Sequence, residues 1–360
     1  MKPVAAAAFS LLMVITAGCS SPEEAPGPDT TGETAQAVTW VEDEVTFDAD
    51  GLTIHGTYRH LADNGADVAP GPAALLISES GQTDRNGDNV VAGPVGNMRL
   101  LAEYLSDHDV ATLRYDKIGT GATGLGPYGD RPQDVGSAVY TAGAKAAIGF
   151  LTAQPGTDEA DVSVYGLGEG TTHAMALATG TDPGAPLVHS LALLQPLTGR
   201  YLDLITSRVR ADNAAQLEAG SKTQEQADGV LTAWLAAVDQ VRKDGTLPPG
   251  QLPDGLSAIL NPGNVKAVAE QDAIDPLALA ATVPNDTPVL LTCSDSDGQA
   301  DCTDIKPLAE ALKHTKLTLV ELKGVNHVLR DDPSDNVANY ANGDPLSAQL
   351  TDALDKFVTQ

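Results

Sequence analysis

Short apolar runs separated by amphipathic stretches dominate the pattern of this 360-residue chain. Two runs flank the turn sequence Asp48-Ala-Asp-Gly51 and predict a β-hairpin. Six further runs are apolar enough for strands covered on both faces: 73–78, 110–114, 162–165, 187–194, 288–292 and 317–321. Helical patterns lie between most of these runs and close the chain: 98–105, 134–151, 171–178, 305–312 and 345–357. The alternation predicts a mostly parallel eight-stranded sheet with helices on both faces.

One connection in this pattern is much longer than the others. About ninety residues separate Leu194 from Pro288, whereas most connections in compact domains have only a few residues. Apolar residues recur within it at helical spacing, including Val230, Trp234 and Val238. We therefore expect an inserted helical cap at residues 199–283 and a core domain made of residues 39–198 and 284–360. Trp234 is expected to pack inside the cap rather than to contact a substrate.

The N-terminus carries a targeting pattern. Lys2 precedes an apolar run at 4–17 that is too short for a membrane-spanning helix. The run closes on Thr16-Ala-Gly-Cys19, which resembles a bacterial lipobox. That resemblance implies a signal peptide at 1–18, acylation of Cys19 and a lipid-anchored protein in the bacterial cell envelope, on the outer face of the cytoplasmic membrane. The alternative is an ordinary secretory signal with an incidental cysteine.

Residues 19–38 follow as a polar stretch rich in Pro, Glu, Thr and Gly, which predicts a disordered tether. The formal net charge of −28 argues against nucleic acid as a partner and against docking on anionic lipid through charge.

In an oxidising compartment, Cys293 and Cys302 form an even pair and predict a disulfide. Two unpaired thiols are the alternative.

A glycine-rich turn marks the centre of the chain. The apolar run 162–165 leads into Gly166-Leu-Gly168-Glu-Gly170, and a helical pattern follows at once. This arrangement has the form of a nucleophile elbow, G-x-S-x-G, with Gly168 in place of the serine. A nucleotide-binding loop is disfavoured, because the turn lies mid-chain and the sequence lacks G-x-x-x-x-G-K-[ST].

Three further segments carry a family resemblance, which extends from about Val41 to the end of the chain. Residues 76–87 resemble an oxyanion loop, residues 113–121 resemble the motif Leu-Arg-Tyr-Asp-Lys-Arg-Gly-x-Gly, and residues 324–329 resemble a catalytic-histidine turn. Together they are similar to the bacterial α/β-hydrolases of the serine aminopeptidase branch. The resemblance implies the α/β-hydrolase fold, with a helical cap inserted after the sixth main strand.

The same resemblance assigns site residues. Asp297 takes the position of the acid, with Asp295 and Asp301 as nearby alternatives, and His327 takes the position of the base. The carboxylate would fix the imidazole tautomer, and the imidazole would accept a proton from the nucleophile. The backbone N–H groups of Ser80 and Glu169 take the positions of the oxyanion donors.

The chain departs from the family at three positions near the chemistry: Gly168 replaces serine, Glu79 replaces a glycine before Ser80, and Ile118 replaces arginine. Gly168 offers no nucleophile. We therefore expect a degenerate hydrolase that is non-catalytic or binds a small-molecule or acyl ligand under the cap. The alternative is an active hydrolase of small esters or amides that uses His327 and Asp297 with water as nucleophile. We expect no cofactor and no metal site, because the sequence has no H-E-x-x-H motif or Cys/His cluster.

Overall fold

The computed structural model describes residues 39–62, 69–180, 185 and 187–359. The predicted signal peptide and tether, with the proposed lipidation site Cys19, lie outside the described residues. No helix in the described ranges combines the length and apolar character needed to span a bilayer.

A single eight-stranded sheet organises the described chain. Its strands run in the spatial order β1-β2-β4-β3-β5-β6-β7-β8. β1 and β2 form the predicted hairpin, β2 also pairs antiparallel with β4, and all later pairs are parallel. The bounds are β1 Trp40–Ala49, β2 Leu52–Leu61, β3 Gly71–Ile77, β4 Ala111–Tyr115, β5 Thr157–Leu167, β6 Ser190–Leu194, β7 Pro288–Ser294 and β8 Lys316–Leu322. The predicted mostly parallel sheet is confirmed.

Alternating side chains of the central strands supply two separate cores. On β3, Leu75 and Ile77 face one core, and Ala74 and Leu76 face the other. The first core is covered by α2 (Ser137–Thr152), α3 (Gly170–Ala178) and α8 (Lys306–Ala311); the second is covered by α1 (Asn97–Ser106) and α9 (Ala348–Phe357). Each fully buried leucine contributes about 1.5–3 kcal/mol by leaving water. The predicted placement of helices on both faces therefore follows from strands that are apolar on both sides.

The long connection between β6 and β7 is helical. It contains α4 (Tyr201–Glu218), α5 (Gln224–Asp244), α6 (Val265–Ala273) and α7 (Pro276–Ala280). Most of it shares a third core in which Trp234 is 0% exposed and donates its indole N–H to Thr206 Oγ1 at 2.9 Å. Trp234 therefore packs inside the insertion, as expected.

Polar contacts attach this insertion to the rest of the fold. The carboxylate of Glu270 on α6 accepts hydrogen bonds from the backbone N–H and the hydroxyl of Ser137, at the start of α2. Within the insertion, buried Asp272 accepts from Arg200 and Arg242 and from the backbone N–H of Leu202. These contacts fix α6 to α2 and fix the first residues of α4 to α5 and α6.

Candidate active site

The elbow forms where β5 passes into α3. Gly168 lies between them with φ +55°, in the left-handed region that glycine enters without steric cost. Its N–H donates to Leu194 O at 3.1 Å, and its carbonyl accepts from Thr171 N at 3.2 Å. Gly170 is required for another reason: a Cβ there would lie 2.4 Å from Ile77 O. The turn is therefore pressed against the end of β3.

The loops after β7 and β8 bring Asp297 and His327 together. Asp297 Oδ2 lies 2.8 Å from His327 Nδ1, and the two side chains are 0% and 2% exposed. The two alternative acids bind elsewhere: Asp295 accepts from Gly324 N and Asp301 accepts from Thr303 N. The geometry therefore agrees with the choice of Asp297, although its role as a catalytic acid stays a prediction.

The other ring nitrogen of His327 is bound to Glu79. Glu79 Oε2 lies 2.7 Å from His327 Nε2, and Glu79 Oε1 accepts the backbone N–H of Ser80 at 2.7 Å. An ideal Cβ built on Gly168 would lie only 1.6 Å from Glu79 Oε2. The carboxylate of Glu79 therefore occupies the space in which a serine side chain would stand, and it makes the hydrogen bond to histidine that a serine hydroxyl would make.

These contacts form a charged triad of Glu79, His327 and Asp297. Burial alone would lower the pKa of His327, but the charges of Asp297 and Glu79 outweigh burial and raise that pKa well above its usual value. Burial alone would raise the pKa of Glu79, but the charge and hydrogen bond of His327 lower it to about 2. At neutral pH the raised pKa of His327 favours an imidazolium, and the lowered pKa of Glu79 favours a carboxylate beside it.

The backbone N–H groups predicted as oxyanion donors belong to Ser80 and Glu169, and their role as donors stays a prediction. The Ser80 N–H, predicted as one donor, is engaged by the carboxylate of Glu79. Glu169, predicted as the other, is the residue immediately before α3. From the sequence we expected Glu79 only to disturb the geometry of the oxyanion donors. Its direct hydrogen bond to His327 was not predicted. The signal that could have found it is an acidic residue in the oxyanion loop of a chain that lacks the nucleophile.

Lys117 lies beneath this loop with 5% exposure. Its ammonium group donates to the carbonyl oxygens of Ser78 and Glu79 and so holds the backbone on which Glu79 stands. Burial lowers the pKa of Lys117, and the charges of Glu169 and Glu79 partly offset that effect.

A second contact that the sequence did not predict involves Asp335, whose Oδ1 accepts the backbone N–H of His327 at 2.9 Å.

The predicted disulfide is confirmed. Cys293, at the end of β7, is bonded to Cys302, with 5.0 Å between their Cα atoms. The bridge closes the loop that carries Asp297.

Ile118, the third departure from the family pattern, is 4% exposed and packs in the first core. Within the described residues, no group of three or more His, Cys, Asp or Glu side chains has the geometry to hold a metal ion.

No family model and no curated protein matches this chain. Solved structures do match it. The esterase Pf2001 of Pyrococcus furiosus aligns with TM-score 0.53 and 14% identity over 89% of this chain and 91% of that chain. DcsB, solved with its substrate analogue, aligns with TM-score 0.52 and 16% identity over 89% of this chain and 99% of that chain. Est1E of Butyrivibrio proteoclasticus, solved with ferulic acid bound, aligns with TM-score 0.51 and 14% identity over 88% of this chain and 100% of that chain. At these identities the likeness establishes the fold and nothing finer.

Proposed function

We propose that this chain, whose fold is that of the α/β-hydrolases, is a degenerate member of the serine aminopeptidase-like branch that no longer hydrolyses esters or amides. It binds a small-molecule or acyl ligand instead. In the proposed setting it is lipid-anchored through Cys19 on the outer face of the cytoplasmic membrane. The lipobox resemblance of residues 16–19 supports the anchor.

The observation that carries the proposal is the position of the Glu79 carboxylate. A serine mechanism needs a hydroxyl at the elbow and a neutral imidazole to take its proton. Here the elbow residue is Gly168, and His327 Nε2 is bonded to Glu79 at 2.7 Å. Because the charges of Glu79 and Asp297 keep His327 protonated, the imidazole has no free lone pair with which to act as a base.

A binding role is supported by what surrounds the triad. Tyr201, the first residue of α4, lies close enough for the charges of Glu169 and Glu79 to add to the effect of burial and raise its pKa. The insertion therefore reaches the carboxyl edge of the sheet, where ligands bind in open α/β folds. Est1E, a structural neighbour, binds ferulic acid, and a ligand of comparable size is proposed here.

The alternative is an active hydrolase in which His327 and Asp297 activate water. The 2.8 Å contact between these two side chains favours it. For this reaction Glu79 must leave His327, and His327 must lose a proton, before water is activated. Residual catalysis without a complete triad reaches only about 10³–10⁴ over the uncatalysed rate in serine proteases.

The test is a pair of measurements on the native protein. A fluorophosphonate probe should leave it unlabelled, because no hydroxyl nucleophile stands at the elbow. Turnover of short-chain p-nitrophenyl esters should equal that of a His327→Ala variant. Ester turnover that is well above background and is lost in His327→Ala would contradict the proposal and establish the water-activating alternative.

A further inference from the structure

Glu79 is the member of the charged triad that reaches solvent. Its side chain is 17% exposed, whereas those of His327 and Asp297 are 2% and 0% exposed. The position of its carboxylate relative to the backbone depends on side-chain torsions, so the carboxylate can turn outward while the backbone stays in place. Lys117 would keep that backbone fixed, because it bonds the carbonyls of Ser78 and Glu79 rather than the Glu79 carboxylate.

Two donors would remain when the Glu79 side chain turns away. One is the Nε2–H of the imidazolium of His327, and the other is the backbone N–H of Ser80. Each lies 2.7 Å from a different oxygen of the same carboxylate. A pair of donors spaced for the two oxygens of one planar group, one of them charged, is a recognition geometry for carboxylates.

We propose that Glu79 is an internal ligand of a carboxylate-binding site formed by His327 and Ser80, and that the ligand of this protein is a monocarboxylate which displaces Glu79. The inference rests on the proposed function in that it names the ligand class of the same site. The carboxylate would take the two donors, and the rest of the molecule would extend toward Tyr201 at the start of α4.

A monocarboxylate fits better than a phosphate. Asp297 already faces the imidazole from the other side, and the negative charge of Glu169 lies close enough to Lys117, which holds the Glu79 backbone, to oppose the lowering of the Lys117 pKa by burial. A dianion would add a second negative charge beside these two acidic residues. A neutral amide would lose the charge-assisted bond to the imidazolium, which is roughly twice as strong as a neutral hydrogen bond.

The Glu79 carboxylate, as the internal ligand, lowers the affinity of the native protein for an external carboxylate. Because Glu79 is tethered beside the donors, it competes at a high effective concentration, so an external carboxylate binds the native protein weakly. In Glu79→Gly the competitor is absent, and a buried imidazolium loses one partner. We expect benzoate to bind Glu79→Gly at least about tenfold more tightly than it binds the native protein, a difference of about 1.4 kcal/mol. Glu79→Gln is the matched control, since its neutral amide fills the same space.

Calorimetric titration tests this with benzoate, benzamide and inorganic phosphate against the native protein, Glu79→Gly, Glu79→Gln and Glu79→Gly/His327→Gln. The expected result is a gain for benzoate alone, in Glu79→Gly, that is lost with His327→Gln. Equal binding of benzamide, tighter binding of phosphate, or benzoate affinity that survives His327→Gln would overturn the proposal.

A second measurement uses the native protein, so that the proposal does not depend on the folding of a variant. Benzoate should shift the imidazole NMR signals of His327 saturably, because Glu79 is exchanged for the external carboxylate. An unchanged His327 signal at saturating benzoate would overturn the site. Hydrolysis of esters by the native protein would end the proposed function and leave this result untouched, so the two failures are distinguishable.

Discussion

At the scale of single residues, positions 79 and 168 behave as one unit. Gly168 leaves a space at the elbow, and the Glu79 carboxylate lies in it, 1.6 Å from the point where a Cβ would stand. Sequence reasoning counted the two departures as separate losses. The structure makes them physically dependent, because the side chain missing at one position is replaced by the side chain present at the other.

The dependence predicts the outcome of restoring the nucleophile. Gly168→Ser places a hydroxyl in the space of Glu79 Oε2 and adds a strained backbone, which costs on the order of 1–3 kcal/mol. We expect weak labelling by a fluorophosphonate probe in Gly168→Ser, and labelling at least about tenfold faster in Gly168→Ser/Glu79→Gly, where nothing competes with the serine for His327. Labelling rates measured by mass spectrometry provide the comparison.

The control for that experiment is Gly168→Ser/Glu79→Gly/His327→Ala, in which labelling should be lost. Equal labelling of the single and double variants would show that Glu79 does not block the elbow.

The charged triad also predicts how stability depends on pH. The raised pKa of His327 means that the folded protein keeps a proton which the unfolded chain releases above about pH 6.5, so this contribution falls as pH rises above that value. The lowered pKa of Glu79 gives a contribution that is lost as pH falls from about 4.5 toward about 2. The triad is thus fully stabilising between about pH 4.5 and 6.5.

Urea unfolding of the native protein and His327→Gln at pH 6 and pH 8 measures this effect. We expect the free energy of unfolding of the native protein to fall by about 1–2 kcal/mol more than that of the variant, since one proton contributes at most about 1.4 kcal/mol per pH unit. A native protein that gains stability relative to His327→Gln across this range would contradict the protonated state of His327.

At the scale of elements, the site depends on loops that follow four parallel strands. Each loop is tied by a different device: Lys117 holds the loop after β3, close packing of Gly170 holds the elbow after β5, and the Cys293–Cys302 bridge closes the loop after β7. The loop after β8 is tied through the bond from His327 N to Asp335. A loop freed from its tie should therefore alter His327 through Glu79 or Asp297.

The disulfide offers the most direct test at this scale. Replacing both cysteines by alanine should lower the free energy of unfolding by about 2–3 kcal/mol, the value expected from loop entropy for a short closed loop. The Asp297 loop should loosen, and the pKa of His327 followed by NMR should fall toward its ordinary value. Intact mass should rise by about two hydrogens when the native protein is reduced. An unchanged mass on reduction would refute the bridge.

At the scale of the whole molecule, the alternation of apolar runs was enough to predict the sheet. Its edges were less predictable: β6 begins at Ser190 and not at Leu187, which is 64% exposed, and β5 begins five residues before its apolar run. Those residues gain strand structure from backbone pairing, which hydrophobicity does not report. The segments carrying His327 and Asp297 could be picked out because each has a local motif, and the structure brings the two side chains together. The bond between Glu79 and His327 joins residues 248 positions apart. It depends on how the fold places the loops after β3, β5 and β8 relative to one another, which no local motif reports.

The predicted lipid anchor belongs to the same scale, because it decides where the molecule works. Cys19→Ala should abolish labelling by an alkyne-bearing fatty acid in cells and release the protein from the membrane fraction, since the acylated cysteine is removed. Fractionation with Cys293→Ala/Cys302→Ala as the matched cysteine control separates loss of the anchor from loss of the disulfide. Fatty-acid labelling that persists in Cys19→Ala would refute the anchor.

The overlap between Glu79 and the elbow also has an evolutionary consequence. A serine placed at position 168 would separate Glu79 from the imidazolium, and a glycine placed at position 79 would leave that imidazolium with one partner fewer. Each single substitution therefore costs a hydrogen bond of the charged triad, whereas the two together give the elbow a serine with no competitor for His327. We expect homologous chains to carry either glutamate with glycine or glycine with serine at these two positions, and rarely one residue of each pair.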